Sequence, residues 1–363
     1  MVKENNPNLV RDTGRRAVIA LDAMGGDYAP LSVLKGAEIA LKDNSDLKFK
    51  IFGHRDKVLP LLGNYKSVAE ASEFIHTEES IANDEKPTTA LRKAKNSSMF
   101  LSIDSVKHGE ATAVVSSGNT GALMAISKLS LQTLPGIDRP AIGGLLPTEK
   151  GLCVMLDLGA NILCDATNLF EFSIMGSSFA KTVLGKKSPS VGLLNVGEER
   201  NKGHEVLRSA AAMIEEGGAD LNYIGFIEGS DICTGKVDVI VTDGFSGNIA
   251  LKTAEGTAKF FANMFKSKLK SNIFGLIGLF IASPALLKLK KQLDPRNYNG
   301  AMLLGLNGIV VKSHGSADEV GFANAIKVAY KLSKNNINEH IMRDMVASGH
   351  SLETDEFLSE IEG

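Results

Sequence analysis

The chain has 363 residues, 44% of them hydrophobic and 23% charged, with a formal net charge of −2. Such a balance describes soluble globular material, long enough for one large α/β domain or two joined ones, and it argues against nucleic acid as the main partner because a phosphate backbone calls for a basic surface. Three cysteines, Cys153, Cys164 and Cys233, are an odd number without Cys-x-x-Cys spacing, so neither a disulfide framework nor a zinc site is indicated and a reducing cytoplasm fits.

Met1 to Arg16 is polar and lacks an apolar core segment, which predicts a loose tail rather than a secretory signal. Ala17-Val-Ile-Ala-Leu21 then reads as a strand, Asp22-Ala-Met-Gly-Gly-Asp27 as a glycine turn, and the segment opened by Pro30 as a helix. Paired glycines let main-chain N–H groups approach an anion that a Cβ would hold away, and a helix start adds partial positive charge. A phosphate fits such a loop; so does a plain tight turn with no ligand. Neither the dinucleotide fingerprint nor a P-loop is present.

Leu47 to Phe52 alternates as a half-buried strand, Arg55 to Leu62 follows as a short helix, and Phe74 to His76 as another strand. Pro87 is expected to open one long helix through Lys107, whose Arg92, Lys93 and Lys95 read first as a solvated face. The strand-then-polar-loop grammar recurs four times: Ala113 to Val115 into Ser116–Gly121, Val154 to Leu156 into Asp157–Asn161, Val191 to Leu194 into Asn195–Gly203, and Val237 to Val241 into Thr242–Asn248. In an open parallel sheet such loops converge outside the carboxyl ends of the strands and describe a site. The candidate contact residues are Asp22, Gly25, Gly26, Asp27, Ser117, Gly118, Asn119, Thr120, Asn161, Asp243 and Gly244.

From Lys259 to Lys291 the pattern changes. Phe261, Phe265, Leu269, Ile273, Leu276 and Phe280 recur every three or four residues, lysines flank them, and Ile273 to Ala282 is apolar or glycine throughout. Pro284 is expected to cut the run, which is far short of the roughly 20 residues a bilayer span needs. An amphipathic helical insertion at about 259–291, an interfacial helix or a helical hairpin lying on an anionic membrane surface, is expected, with Ile273, Phe274, Leu276, Ile277, Leu279 and Phe280 as its contact residues. A dimer interface or a core helix is the competing reading. No linker or fixed-period repeat divides the chain, so tails at 1–16 and 351–363 are expected to bracket one catalytic domain over 17–350, whose two lobes share a sheet.

Six ordered segments resemble the bacterial acyl-acyl carrier protein:phosphate acyltransferase family, the PlsX family: ALDAMGGDYAP (Ala20 to Pro30), SSGNTGALM (Ser116 to Met124), GIDRPAIGGLLPT (Gly136 to Thr148), LDLGAN (Leu156 to Asn161), VGLLNVGEERNKGHE (Val191 to Glu205) and VTDGFSGNIALKTAEG (Val241 to Gly256). The resemblance runs from about Val18 to about Asn335, and Ser117 stands where that family often has alanine. It implies a Rossmann-like three-layer α/β/α sandwich of the phosphotransacetylase and isocitrate-dehydrogenase type. It implies that inorganic phosphate attacks the thioester of a long-chain acyl carrier protein, giving acyl phosphate and free carrier for phospholipid synthesis, with no cofactor. A homodimer in the cytoplasm, at the inner face of the membrane and upstream of a glycerol-3-phosphate acyltransferase, goes with that role.

Phosphate is already a nucleophile at neutral pH, so no Ser-His-Asp triad is required; positioning and fixed donors supply the rate. Lys202 and Asn248, both on loops after strands, are the candidate catalytic residues, one neutralising phosphate or oxyanion and the other hydrogen-bonding the reacting centre, with the roles interchangeable. Each has a plainer reading: a solvated loop lysine, and a cap for a helix beginning near Ile249. Asp22 and Asp27 read as orienters of donors, with metal coordination possible but not demanded. His204 reads either as an acid toward the leaving thiolate or as a solvated histidine, and Asp138 and Arg139 either fix each other or face the carrier. Phosphotransacetylase-like transfer with coenzyme A and a membrane adaptor without catalysis are the alternatives; the apolar segment speaks against the first and the polar loops against the second.

Overall fold

The computed structural model describes residues 17–217, 220–269, 273–292 and 294–349, so both expected tails lie outside the described residues. In chain order its first half contains β1 (Val18–Asp22), α1 (Leu31–Asp43), β2 (Lys48–Gly53), α2 (Arg55–Leu62), α3 (Lys66–Glu70), β3 (Ser72–His76), α4 (Pro87–Lys93), α5 (Ser98–Lys107), β4 (Ala113–Ser116), α6 (Thr120–Leu131), β5 (Ala141–Thr148), β6 (Gly151–Leu156) and α7 (Ala166–Leu184). There follow β7 (Ser190–Leu194), α8 (Glu205–Glu216), β8 (Asn222–Ile227), β9 (Val239–Val241), α9 (Gly244–Leu269), α10 (Ile273–Gln292), β10 (Ala301–Leu304), β11 (Ile309–Lys312), α11 (Glu319–Lys334) and α12 (Ile337–Ala347).

All eleven strands join one sheet in the order β3-β2-β1-β4-β11-β10-β5-β6-β9-β7-β8. Strand alternation builds the layers. In β1, Ile19 and Leu21 enter a core beneath α1, α7, α8, α11 and α12, while Ala20 faces the opposite side. There it meets Met99 and Ile103 of α5 and Leu123 of α6. The second half repeats the division: Val154 and Leu156 share the first core, whereas Cys153 and Met155 face Ala250 and Leu251 of α9. Helices therefore cover both faces, the three-layer arrangement expected from the sequence.

The sheet is mixed, and this corrects the expectation of one parallel sheet with all its loops at one edge. β10 is antiparallel to both β11 and β5, and β5 is antiparallel to β6. The strands β6, β9, β7 and β8 thus run opposite to β1, β2, β3, β4 and β11. The reversal comes from a hairpin: Glu149 and Lys150 join β5 to β6, with Thr148 paired to Gly151, whose φ of +128° suits only glycine.

Two helical expectations also change. The segment from Pro87 to Lys107 is broken, because Ser97 adopts an extended conformation and its hydroxyl accepts the Phe100 N–H to cap α5. The apolar segment forms the end of α9 and all of α10, and α10 continues through Pro284, which was expected to cut the run. The described residues include no helix long and apolar enough to cross a membrane.

Candidate functional site

Chain reversal in the sheet divides the candidate residues into two groups. The first lies at the ends of β1, β4 and β11. Gly26 takes φ +99°, and a Cβ there would sit 2.7 Å from Ser117 Cβ; a Cβ on Gly25 would sit 2.6 Å from both the Asp22 carboxylate and the Gly118 nitrogen. Only glycines let the 24–27 loop close this tightly on the 116–118 loop.

Asp22, 1% exposed, accepts hydrogen bonds from Ser98 Oγ at 2.6 Å, Ser116 Oγ at 2.7 Å and the Met24 N–H at 3.2 Å. Its carboxylate thus holds the loop together, as an orienter does. Asp27 accepts from Asn83 Nδ2 at 2.9 Å. Asn119 caps α6 through the Ala122 N–H, and its amide donates to the Asn83 and Glu85 carbonyls, fixing that loop beside Thr120 at the start of α6. The dipole of α6 points its positive end at this region.

The second group lies at the ends of β6, β9 and β7, which are neighbours in the sheet. Asp157, fully buried, takes the N–H groups of Ile142, Gly159, Ala160 and Asn161 and the Asn161 side chain, all between 2.7 and 3.0 Å. Burial nonetheless pushes its carboxyl pKa upward. Asn161 also donates to the Pro140 carbonyl at 2.8 Å, and its own carbonyl receives the Gly244 N–H at 2.7 Å. Asn161 and Gly244 therefore frame the loop.

Asp243 accepts from both the N–H and the hydroxyl of Ser246 at 2.8 Å. It is the residue that caps α9, which begins at Gly244. Asn248, read from the sequence as a possible cap, instead sits inside the first turns, exposed, with its side chain over Gly159. Lys202 is exposed as well; its stem packs against Gly197, and its carbonyl is held by Asn195 Nδ2 at 3.3 Å. His204 is exposed at the start of α8.

One helix connects the groups. α9 starts beside Asn161, packs Ala250 and Leu251 on the sheet, and carries Lys252, Glu255 and Lys259 close enough to influence His314. His314 follows β11 by two residues, within the first group. Burial, Lys312 and Lys252 together hold its imidazole below the usual value. Lys312, which ends β11, had no signal in the sequence beyond terminating an apolar strand.

The chemistry available is binding and positioning rather than covalent capture. Cys164 borders the second group, 3.8 Å from the Asn161 carbonyl, and burial pushes its thiol up to about 12, so it carries no thiolate at neutral pH.

Asp138 and Arg139 fix each other at 3.0 Å, and Asn168 supports Asp138 at 3.2 Å. Beneath them Glu171, 2% exposed, accepts the Asp138 N–H at 3.1 Å, and burial pushes its carboxyl up to about 7. The folded state then holds this proton more tightly than the unfolded chain, so the stability it contributes is full below about 4.5 and lost as pH rises through about 7. Glu171→Gln is expected to raise Tm at pH 8 and to leave it near wild type at pH 5. Equal shifts at both pH values in thermal melts would remove burial of the charge as the cause.

Residues 17–340 match the FA_synthesis family, described as "Fatty acid synthesis protein". A protein of Rhodospirillum centenum named "Phosphate acyltransferase" is 53% identical over 338 residues, spanning 93% of this chain and 95% of its own. Proteins of the same name from Caulobacter vibrioides and Ehrlichia canis are 50% and 48% identical, each over 90% of this chain and over 91% and 98% of their own. Among solved structures, the EutD phosphotransacetylase from Staphylococcus aureus superposes with a TM-score of 0.58 at 16% identity, over 91% of this chain and 96% of that one. A phosphotransacetylase from Streptococcus pyogenes gives 0.57 at 18%, over 88% and 94%. At these identities the two structures share a fold with this chain.

Proposed function

Because the chain belongs to the fatty acid synthesis protein family, we propose that it is a phosphate acyltransferase that moves a long acyl chain from acyl carrier protein to inorganic phosphate. The observation that carries this reading is the 53% identity, over nearly the whole chain, to a protein named "Phosphate acyltransferase". Phosphate binds at the glycine loop of the first group. Its oxygen attacks the thioester carbonyl, a tetrahedral oxyanion forms, and the carrier thiolate leaves as the carbonyl is restored. Lys202 and Asn248, in the second group, stabilise the phosphate or the oxyanion, one by charge and one by a hydrogen bond, and α9 joins the two groups, since Lys252, one turn beyond Asn248, acts on His314 of the first; their exposure suits contact with a substrate presented by another protein.

Carrier and membrane both engage the α9–α10 segment in this reading. Acyl carrier proteins are acidic, and Lys266 and Lys268, together with Lys270 (outside the described residues), Lys288, Lys290 and Lys291, form a basic cluster in the sequence. Ile273, Phe274, Leu276, Ile277 and Phe280 are exposed, Phe274 at 82% and Phe280 at 81%; Leu279, expected beside them, is half-buried. A peripheral enzyme would release an acyl phosphate directly into the bilayer that a downstream acyltransferase uses. The same apolar surface suits a homodimer contact, and the membrane variant argued below separates the two.

The test uses purified long-chain acyl carrier protein and the matching coenzyme A thioester. Phosphate-dependent thiol release is expected from the first with a far lower Michaelis constant, rising as salt screens the encounter. Preference for coenzyme A would assign the soluble phosphotransacetylase reaction instead. If charge reversal at several of the six lysines leaves the carrier's Michaelis constant unchanged at low salt, docking lies elsewhere.

A further inference from the structure

Three adjacent strands end in a row of polar side chains, one acidic, one neutral and one basic. Leu21 is in register with Val115, and Ser116 with Lys312. Asp22, Ser116 and Lys312 therefore finish β1, β4 and β11 side by side, and alternation puts all three on the face covered by α4, α5 and α6, the face of Ala20, Val114 and Val310. The Asp22 carboxylate is satisfied by two hydroxyls and a main-chain N–H, as described above. The Lys312 ammonium meets carbonyl oxygens, Ser117 O at 3.4 Å and Ser313 O. Carbonyls solvate a cation without neutralising it, and Asp22 and Asp27, which pull on this ammonium, make no ion pair with it among the described residues, so it still has room for an anion.

Three further observations locate that anion. Ser117 is 4% exposed and its hydroxyl has no partner among the described residues, a cost unless a ligand completes it. Gly26, against Ser117, brings the glycine loop to the same point, and the Asp27 N–H binds the Gly315 carbonyl at 2.8 Å, closing the loop after Lys312 onto it. Burial lowers the Lys312 ammonium to about 8 against the opposing pull of Asp22 and Asp27, which keeps it protonated at neutral pH yet poorly solvated.

We propose that Lys312 is the cation that binds the reacting phosphate at the glycine loop, with the Ser117 hydroxyl donating beside it. The inference rests on the phosphate acyltransferase reading and names the residue that holds its smaller substrate. Two phosphoryl sources share this chemistry, inorganic phosphate and the phosphodiester through which a carrier protein holds its thiol arm; the assignment is to the first. On α9, Lys252 is paired with Glu255 at 3.3 Å, which leaves Lys259 as the further cation acting on His314.

Lys312→Met keeps an apolar stem of similar length and removes the charge. In the full chain with acyl carrier protein, the Michaelis constant for phosphate is expected to rise at least about tenfold, the loss of a charge-assisted contact. The carrier's constant at saturating phosphate stays at the wild-type value, and Tm does not fall, because a desolvated charge is gone. In the wild type, kcat/KM for phosphate should decline above about pH 8 as the ammonium, surrounded by Asp22, Asp27 and His314, loses its proton; the variant should lack that decline.

A folded Lys312→Met protein with an unchanged phosphate constant overturns the proposal. So does a change confined to the carrier's constant, which would give the site to the phosphodiester arm. Should Lys312→Met not fold, Lys312→Gln is read by the same criteria. If the wild type releases no thiol with phosphate, the functional reading fails separately, and calorimetric titration with inorganic phosphate decides Lys312: binding weakened at least about tenfold supports it, and equal binding overturns it.

Discussion

Lys202→Ala and Asn248→Ala are each expected to fold like the wild type and to lose roughly 10²–10³ in turnover, about 2.7–4 kcal/mol of transition-state stabilisation, the usual effect of deleting one oxyanion donor. Both side chains are exposed, so truncation removes little packing. Asn248 has no capping duty to lose, since Asp243 holds the start of α9. Circular dichroism and melting curves should therefore match wild type while phosphate-dependent thiol release collapses. In the proposed mechanism the two donors act on one transition state, so the double variant is expected to lose much less than the product of the single effects. Wild-type turnover in a folded Asn248→Ala protein would remove that residue from the mechanism, and the same result for Lys202→Ala would reduce it to a solvated loop lysine.

Replacing Leu276, Ile277 and Phe280 with aspartate is expected to release the protein from anionic liposomes while sparing thiol release from soluble acyl carrier protein. All three side chains are exposed on α10. Burying a large apolar side chain is worth roughly 1.5–3 kcal/mol, so even a few inserted residues hold a peripheral protein, and three carboxylates at the headgroup boundary reverse the effect. Asn248 lies in the first turns of α9 and the three substituted residues lie on α10, so thiol release is expected not to follow membrane attachment. Persistent flotation with liposomes would contradict the membrane reading. Loss of both activities together with the fold, or a shift in sedimentation from dimer to monomer, would assign these residues to a core or subunit contact.

Much of the architecture is legible in local sequence. The helix at Arg55 to Leu62 and the strand-to-glycine turn at Asp22 follow from periodicity and turn chemistry, which depend on neighbours along the chain. Strand direction is not local. The hairpin at Glu149-Lys150 reverses half the sheet, and its signal is only a polar pair and a glycine between two apolar runs. Its consequence, two loop groups instead of one, depends on which strands pair across the chain.

Candidate residues divide in the same way. Glycines and loop polars announce themselves by composition, but composition does not show that Asp22 accepts from Ser98 and Ser116 or that Asp243 accepts from Ser246. Lys312 belongs to no motif singled out in the sequence; only its pairing with Ser116 puts it beside the glycine loop. The α9–α10 segment advertised its apolar character but not the passage of α10 through Pro284.

The most direct test of the central claim is the stoichiometry of products from long-chain acyl carrier protein and inorganic phosphate. Hydroxylamine added after the reaction traps acyl phosphate as a hydroxamate, and free carrier thiol is counted in parallel, each corrected for a phosphate-free control. A phosphate acyltransferase gives one hydroxamate for each thiol released, with both absent when phosphate is withheld. Thiol release that proceeds without phosphate, or without hydroxamate, would make the protein a thioesterase and contradict the reading.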